Sequence, residues 1–183
     1  MSALVRRAVD GDAEAIAALH IRSWQSAYRN QLPARFLDRL SGELEKRTEF
    51  WRTHISTAGV GRHEIWAAEA EARLNAFAAL GPARDVDAGA TGELYAIYVD
   101  PERWSQGVGR ALLAHSSGRL AALGNSIAIL WVLESNVRAR RFYERAGWRA
   151  DGGSKTENLP DGITLREVRY RMLFSQEREN EAP

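Results

Sequence analysis

Glu93-Leu-Tyr-Ala-Ile-Tyr-Val-Asp-Pro-Glu-Arg-Trp-Ser-Gln-Gly-Val-Gly-Arg-Ala-Leu-Leu113 is the stretch whose reading decides the fold. Leu94 to Val99 is β-rich and largely apolar, the pattern of a strand buried on both faces. Asp100-Pro101 stops it, because proline has no N–H for a ladder and restricts the residue before it. Gln106, Gly107, Val108 and Gly109 then make a glycine loop, and a helix follows at once. Its mostly apolar stripe is Val108, Leu112, Ser116, Leu120 and Leu123, and Gly124 is placed to end it. A strand feeding a glycine loop feeding a helix N-terminus is a candidate anion site: the loop amides are free, glycine admits close approach, and the helix dipole favours negative charge. Two common phosphate motifs do not fit. No lysine follows Gly109, as a P-loop would need, and Leu112 stands where a dinucleotide fingerprint has glycine or alanine.

Beyond Gly124 a second strand, Ile127 to Val132, leads into Glu134-Ser-Asn-Val-Arg-Ala-Arg-Arg-Phe-Tyr-Glu-Arg-Ala-Gly-Trp148. With that segment the chain resembles the GNAT superfamily of acyl-CoA-dependent N-acyltransferases. The family's loop pattern is Arg/Gln-x-x-Gly-x-Gly/Ala; its second signature is an asparagine after a strand, then alanine, Phe-Tyr and Gly-Phe. Asn136, Ala139, Phe142, Tyr143, Gly147 and Trp148 occupy those positions. The resemblance runs from about Leu4 to Phe174 in element order, but only Glu93 to Trp148 is specific. There are departures: Trp104 stands at the first loop position, Ser105 where glycine is frequent, Ala76 where the preceding hairpin often has glycine, and Trp148 in place of phenylalanine.

The flanking sequence supplies the remaining elements. Leu4 to Val9 reads as a first strand. Asp10 or Asp12 caps a helix to about Tyr28 whose one face carries Ala13, Ile16, Ala17, His20, Trp24 and Tyr28. That face reads either as a core stripe or, at its C-terminal end, as the wall of a pocket. Pro33 suits the first turn of a second helix and Ser41 the cap of a third, with Leu44, Thr48, Trp51 and Ile55 as its stripe. Glu64 to Glu69 and Leu74 to Leu80 read as a hairpin around Glu71-Ala-Arg73, ended by Gly81-Pro82. Ala83 to Gly92 is expected to be the most mobile loop. Trp148 to Asp151 begins a strand, Gly152 to Gly162 reads as a polar loop, Thr164 to Phe174 as the last strand, and 176–183 as a frayed charged tail. This order gives an α/β (α+β) fold class, a mixed sheet with helices on both faces, and a single domain over 1–175. The resemblance makes that sheet mostly antiparallel.

Composition sets bounds. The chain has 183 residues, 45% of them hydrophobic and 27% charged, in the range of ordinary soluble globular proteins. A net charge of +1 argues against nucleic acid as an obligate partner. There is no cysteine, so disulfides, thiolate zinc sites and a cysteine nucleophile are excluded, and no His/Asp/Glu cluster has metal spacing. Met1 to Asp10 lacks an apolar signal core and no run reaches membrane-spanning length, so no membrane association and a cytoplasmic location are expected. The oligomeric state is left open, a homodimer included.

The resemblance implies the chemistry. Acetyl-CoA would be the co-substrate, with an amine attacking the thioester directly and no covalent enzyme intermediate. Main-chain amides across Ser105, Gln106, Gly107, Val108, Gly109 and Arg110 would hold the pyrophosphate, and main-chain groups of Ile97, Tyr98 and Val99 the pantetheine arm, one of their N–H groups polarising the carbonyl. Asn136 would bond the pantetheine or cap the following helix. Tyr143 would be the general acid, and Arg140 or Arg141 would reach the 3′-phosphate. Glu93, at the mouth of the fourth strand, is the leading candidate for a base working through water, ahead of His20 and Glu134. His20, Trp24 and Tyr28 would border the acceptor, a small-molecule or peptide amine. A non-catalytic acyl-CoA sensor and a protein-lysine or N-terminal acetyltransferase are the alternatives.

Overall fold

The computed structural model describes residues 3–85, 91–159 and 162–174. Seven strands form one sheet: β1 (Leu4–Arg7), β2 (Glu64–Ala70), β3 (Arg73–Pro82), β4 (Thr91–Val99), β5 (Ile127–Leu133), β6 (Arg149–Leu159) and β7 (Ile163–Leu173), in the order β1-β2-β3-β4-β5-β7-β6. Every neighbouring pair is antiparallel except β4 and β5. A parallel pair needs a crossover, and α4 (Val108–Ala122) supplies it. The other helices are α1 (Ala13–Ala27), α2 (Ala34–Arg39), α3 (Leu44–Ser56) and α5 (Val137–Arg145). The α/β class and the mixed, mostly antiparallel sheet are as expected.

The two faces of the sheet are covered by different helices. Ala76, Ala78 and Leu80 of β3 turn to one side, where Val108, Leu112, Leu113 and Leu120 of α4 and Tyr143 of α5 bury them. Phe77 and Ala79 turn to the other, against Ile16, Ala17 and Leu19 of α1 and Trp51 and Ile55 of α3. The alternation of a strand thus serves two cores at once, which is why β3 is apolar almost throughout. A third cluster joins Phe36 and Leu37 of α2 to Ile21, Leu133 and Leu165, closing the sheet end near β5 and β7.

Three local expectations change. The polar segment from Gly152, read as a loop, is part of β6, an eleven-residue strand whose register with β7 slips between Ala150 and Ser154. Most of it is exposed, because it is an edge strand held by main-chain bonds, so no apolar alternation marks it. The helix expected from Ser41 starts at Leu44, after a 3₁₀ turn over Leu40–Glu43; the Ser41 hydroxyl instead accepts from Gln25 Nε2 at 3.0 Å. The β2–β3 hairpin turns at Glu71 and Ala72, both at φ 55°, and β3 continues through Gly81 and Pro82. Of the loop expected to be mobile, residues 86–90 lie outside the described residues, as does the tail.

One buried carboxylate ties the sheet to α4. Glu64 of β2, 3% exposed, accepts from Arg119 Nη2 at 2.8 Å and Nε at 3.0 Å, from Arg7 Nη2 at 2.6 Å, and from Trp66 Nε1 at 2.9 Å. Removing it strips the partners from two guanidinium groups that are each about a third to a half exposed, which limits the penalty. Glu64→Ala is expected to lose roughly 2 kcal/mol in urea unfolding, and Glu64→Gln less, since the amide keeps part of the geometry.

Candidate active site

The site begins where pairing ends. β4 and β5 are in register from Thr91↔Ile127 to Leu94↔Leu130 and no further. On its other edge β4 pairs with β3, and there the register slips from Ala79↔Ala96 to Leu80↔Leu94, so Tyr95 is an extra residue, a β-bulge. Bulges bend a strand and increase its twist. From Tyr95 onward β4 stays with β3 while Trp131 to Leu133 of β5 stay with β7. The gap between them is a cavity of about 960 Å³, lined by Ile97, Tyr98 and Val99 on one side and Trp131, Val132 and Leu133 on the other.

The glycine loop closes one end. Its first intrahelical bond runs from the Ala111 N–H to the Gly107 carbonyl at 3.0 Å, leaving the amides of Val108, Gly109 and Arg110 ahead of the ladder. Ser105 and Gly107 both take left-handed backbone, φ 64° and 87°. The serine holds this without glycine's freedom, a cost of roughly 1 kcal/mol. Gly109 serves close packing: a Cβ there would lie 3.0 Å from Val99 Cγ2, so the helix start presses against β4. Ser105, Gly107, Gly109 and Arg110 line the cavity. Gln106 and Val108 do not: the Gln106 amide bonds the Glu102 carbonyl at 2.9 Å, and Val108 is buried in the core.

Asn136 caps α5, its Oδ1 accepting from the Ala139 N–H at 3.1 Å, and its side chain also faces the Tyr28 phenol. Both lie on the cavity wall with Tyr143. The Gly147-Trp148 pair fixes the far end of this helix. Gly147 takes φ 92°, which lets the Trp148 N–H return to the Tyr143 carbonyl at 3.1 Å while the indole is wholly buried. Tyr143 is thereby set from both sides. Its hydroxyl has no hydrogen-bond partner among the described residues. Burial pushes this phenol well above its usual pKa, with Tyr98 adding to the effect, so it stays protonated at any physiological pH.

Of the residues expected at the acceptor, Trp24 and Tyr28 line the cavity and His20 does not. Trp24 Nε1 donates to the Tyr98 hydroxyl at 2.9 Å, tying α1 to β4. His20 sits behind them, its ring 4.6 Å from that of Tyr98, and Nδ1 accepts from Trp51 Nε1 at 3.3 Å. Glu93 also lies off the cavity. It is 1% exposed, one oxygen accepts from the Arg84 main-chain N–H at 2.9 Å, and the Arg84 guanidinium engages both oxygens. The carboxylate proposed as a base is neutralised by an ion pair, because the strand end that the sequence leaves bare is covered by its own preceding loop.

The arginines sort themselves. Arg140 is used inside the fold, bonding the Tyr170 hydroxyl and the Glu134 carbonyl, each at 3.1 Å, and Arg141 does not line the cavity. Arg138 does, lying flat over the Trp104 indole with its guanidinium carbon 3.6 Å from the ring centre. Burial lowers its pKa, and among the described residues no carboxylate pairs with it. Trp104 in turn donates through Nε1 to the Val99 carbonyl at 2.9 Å. The tryptophan at the first loop position is therefore a shelf that brings an arginine from α5 to the loop. Sequence reading passed over Arg138, one of five arginines in a run, and also Trp131, Glu157 and Glu167, which enter the cavity from strands far along the chain. Among the described residues no His/Asp/Glu group is arranged to hold a metal, and no helix is long and apolar enough to cross a membrane.

A family model described as the Acetyltransferase (GNAT) family matches residues 21–148. The chain belongs to that family. Its acetyltransferase domain resembles YuaI, an uncharacterised N-acetyltransferase of Bacillus subtilis, at 38% identity over 133 residues, 72% of each chain. Among solved structures, the paia N-acetyltransferase of Thermoplasma acidophilum in complex with coenzyme A superposes at TM-score 0.73 and 18% identity, covering 95% of this chain and all of that one. The yncA protein of Salmonella typhimurium with its cofactor acetyl-CoA gives 0.69 and 17%, covering all of this chain and 98% of that one. The protein is thus a GNAT acetyltransferase with the fold of these neighbours.

Burial, with the Arg47 charge nearby, pushes the His20 imidazole down to about 3. A depressed pKa contributes stability that is present above the unfolded value of about 6.5 and lost as pH falls toward the folded one. Lowering the pH from 7.5 to 5 should therefore cost the wild type roughly 2 kcal/mol through this group. Urea unfolding at both pH values should show a shallower loss for His20→Gln.

Proposed function

We propose that this GNAT acetyltransferase moves an acetyl group from acetyl-CoA to a primary amine of a small molecule or peptide, by direct attack within a ternary complex, with Tyr143 as general acid. The observation that carries the reading is the parting of β4 and β5 beyond Leu94 and Leu130, with Tyr143 on the wall of the cavity that results. The neighbours solved with coenzyme A and acetyl-CoA support the choice of co-substrate. So does the chemistry of the gap. The amides of Val108 to Arg110, with the side chains of Arg110 and Arg138, suit a diphosphate, and the unpaired edge of β4 suits an amide-bearing arm laid along it.

Acetyl-CoA supplies a thioester whose carbonyl carbon the amine attacks. As the C–N bond forms and the C–S bond breaks, the electron pair stays on sulfur and the Tyr143 hydroxyl gives that sulfur its proton. A thiol titrates near 8.5 and an ordinary phenol near 10, and burial raises Tyr143 further, so its proton is given up only as the one lost by nitrogen replaces it. The phenol therefore acts as a hydrogen-bond donor that strengthens as negative charge grows on sulfur, the differential stabilisation catalysis needs. A main-chain N–H on Ile97 to Val99 polarises the carbonyl oxygen. The nitrogen's surplus proton leaves through water and in net restores the phenol; it does not go to Glu93, whose carboxylate Arg84 already occupies.

Tyr143→Phe should lower the rate of CoA thiol release roughly 10²-fold while acetyl-CoA binding by calorimetry stays within about threefold; undiminished turnover would remove Tyr143 from the chemistry. Acetyl-CoA binding with no amine acetylated across a broad panel would point to a sensor instead. Arg138→Ala should weaken acetyl-CoA binding roughly tenfold and flatten its dependence on salt, leaving turnover at saturation close to wild type.

A further inference from the structure

The cavity has a second end, away from the glycine loop, and its walls differ in kind. Tyr28 and Tyr98 form one side and Trp131 another, and two carboxylates, Glu157 of β6 and Glu167 of β7, enter from the antiparallel pair at the sheet edge. Glu167 is the better placed. β7 sets it opposite Leu133 at the end of β5, its side chain is 19% exposed, and its charge reaches both phenols: burial is the main cause that raises Tyr28 and Tyr98, the latter to about 12, with Glu167 a minor contributor to each.

The positive groups nearby are largely spent. Arg84 is committed to Glu93, and Arg169 to Asp85 at 3.0 Å and Asp151 at 2.9 Å. Lys155 remains, 3.4 Å from Glu167 and with its ammonium 4.4 Å from the centre of the Trp131 ring. An ammonium group already occupies one position between a carboxylate and an aromatic face, at the rim. On the inner side of the same carboxylate, toward Tyr28 and Tyr98, the cation whose charge reaches Tyr98 is Arg47 of α3, which is already paired with Glu43 at 3.1 Å.

Resting on the acetyltransferase reading above, we propose that this end of the cavity selects acceptors bearing net positive charge and no carboxylate beside the amine, and that Glu167 is the residue that selects them. A cation finds there a partly dehydrated carboxylate and aromatic faces, where ion pairing and cation–π attraction both exceed their values at an open surface. An amino acid's carboxylate would face Glu157 and Glu167 across the same space, a like-charge contact that rejects it.

The test uses isosteric pairs that differ by one carboxylate: tyramine against tyrosine, histamine against histidine, agmatine against arginine. Each is assayed by CoA thiol release and, independently of turnover, by calorimetric binding to the full-length protein loaded with CoA. The amines should exceed their amino acids in kcat/KM, or in affinity, by roughly tenfold or more. Glu167→Gln should erase that ratio by raising KM for the amines with little change in kcat, Glu167→Asp should restore part of it, and Lys155→Met should sharpen it. Acetyl-CoA affinity should not move in any of these variants. A ratio near one in the wild type, a ratio that survives Glu167→Gln, or a loss in kcat alone would each overturn the assignment. So would failure of every cation to bind a protein that still binds acetyl-CoA, whereas loss of acetyl-CoA binding itself would count against the underlying function.

Discussion

The structure depends on one unfinished pairing. Among the described residues β4 and β5 are the only parallel neighbours in the sheet, and they are in register for four residue pairs before they part. Main-chain groups left without a ladder partner in a protein interior are costly unless something else meets them. Here the far end of β4 is held by other means. The Val99 carbonyl accepts from Ser23 Oγ at 3.2 Å and from Trp104 Nε1, Asp100 is bridged by Arg22 at 2.7 Å, and the Asp100 N–H reaches the Asn75 carbonyl at 2.8 Å. These contacts fix the strand end against α1, the glycine loop and β3. What they leave between Tyr95 and Val99 on the β5 side is a main-chain edge that another extended, amide-bearing chain can match.

Packing around that edge explains why the aromatic residues lie where they do. His20 and Trp24 of α1 meet Tyr98 of β4, Tyr28 packs on Trp24 just past the helix end, and Tyr98 lies close enough to Tyr143 of α5 to raise that phenol. A helix from each face of the sheet therefore contacts the same strand through the gap where β5 would have been. Large side chains with polar tips suit this position, since the bodies fill the space that a missing strand opens and the tips remain available to a ligand. His20 is the exception in role: its ring belongs to the packing, with Trp51 satisfying Nδ1, and it backs the wall without forming it.

What the sequence made legible follows from how locally each part is encoded. The loop from Ser105 to Arg110 and the segment from Asn136 to Trp148 are contiguous, and their residue types answer to local backbone demands: left-handed φ at Gly107 and Gly147, close approach at Gly109, a cap at Asn136. Such demands leave a pattern that can be read without a structure. The part of β6 from Gly152 on was read as a loop because an exposed edge strand has no buried face to impose alternation on its side chains. The bulge at Tyr95 was missed because a register slip is a relation between two strands and has no residue type of its own here. Glu93 illustrates the opposite failure. A glutamate at a strand end looks like a free carboxylate until the chain folds Arg84 back over it.

The same contrast of local and distributed encoding bears on how the two ends of the cavity can change. The end with the glycine loop is built from two continuous segments whose side chains also cap helices and close turns, so few substitutions there leave the fold untouched. The opposite end is assembled from Tyr28, Tyr98, Trp131, Glu157 and Glu167, side chains carried on α1, β4, β5, β6 and β7, which share no local backbone requirement. Glu157 and Glu167 in particular stand on the β6–β7 pair, held by main-chain bonds that do not depend on what the side chains are. Charge at that end can be exchanged without disturbing the strands, whereas the glycine loop is tied through Gly109 to the seating of α4 on β4. On the proposed function, recognition of the acceptor is therefore the freely variable part of this architecture and recognition of the acyl donor the fixed part, because the glycine-loop end is also tied to the packing of α4 and α5.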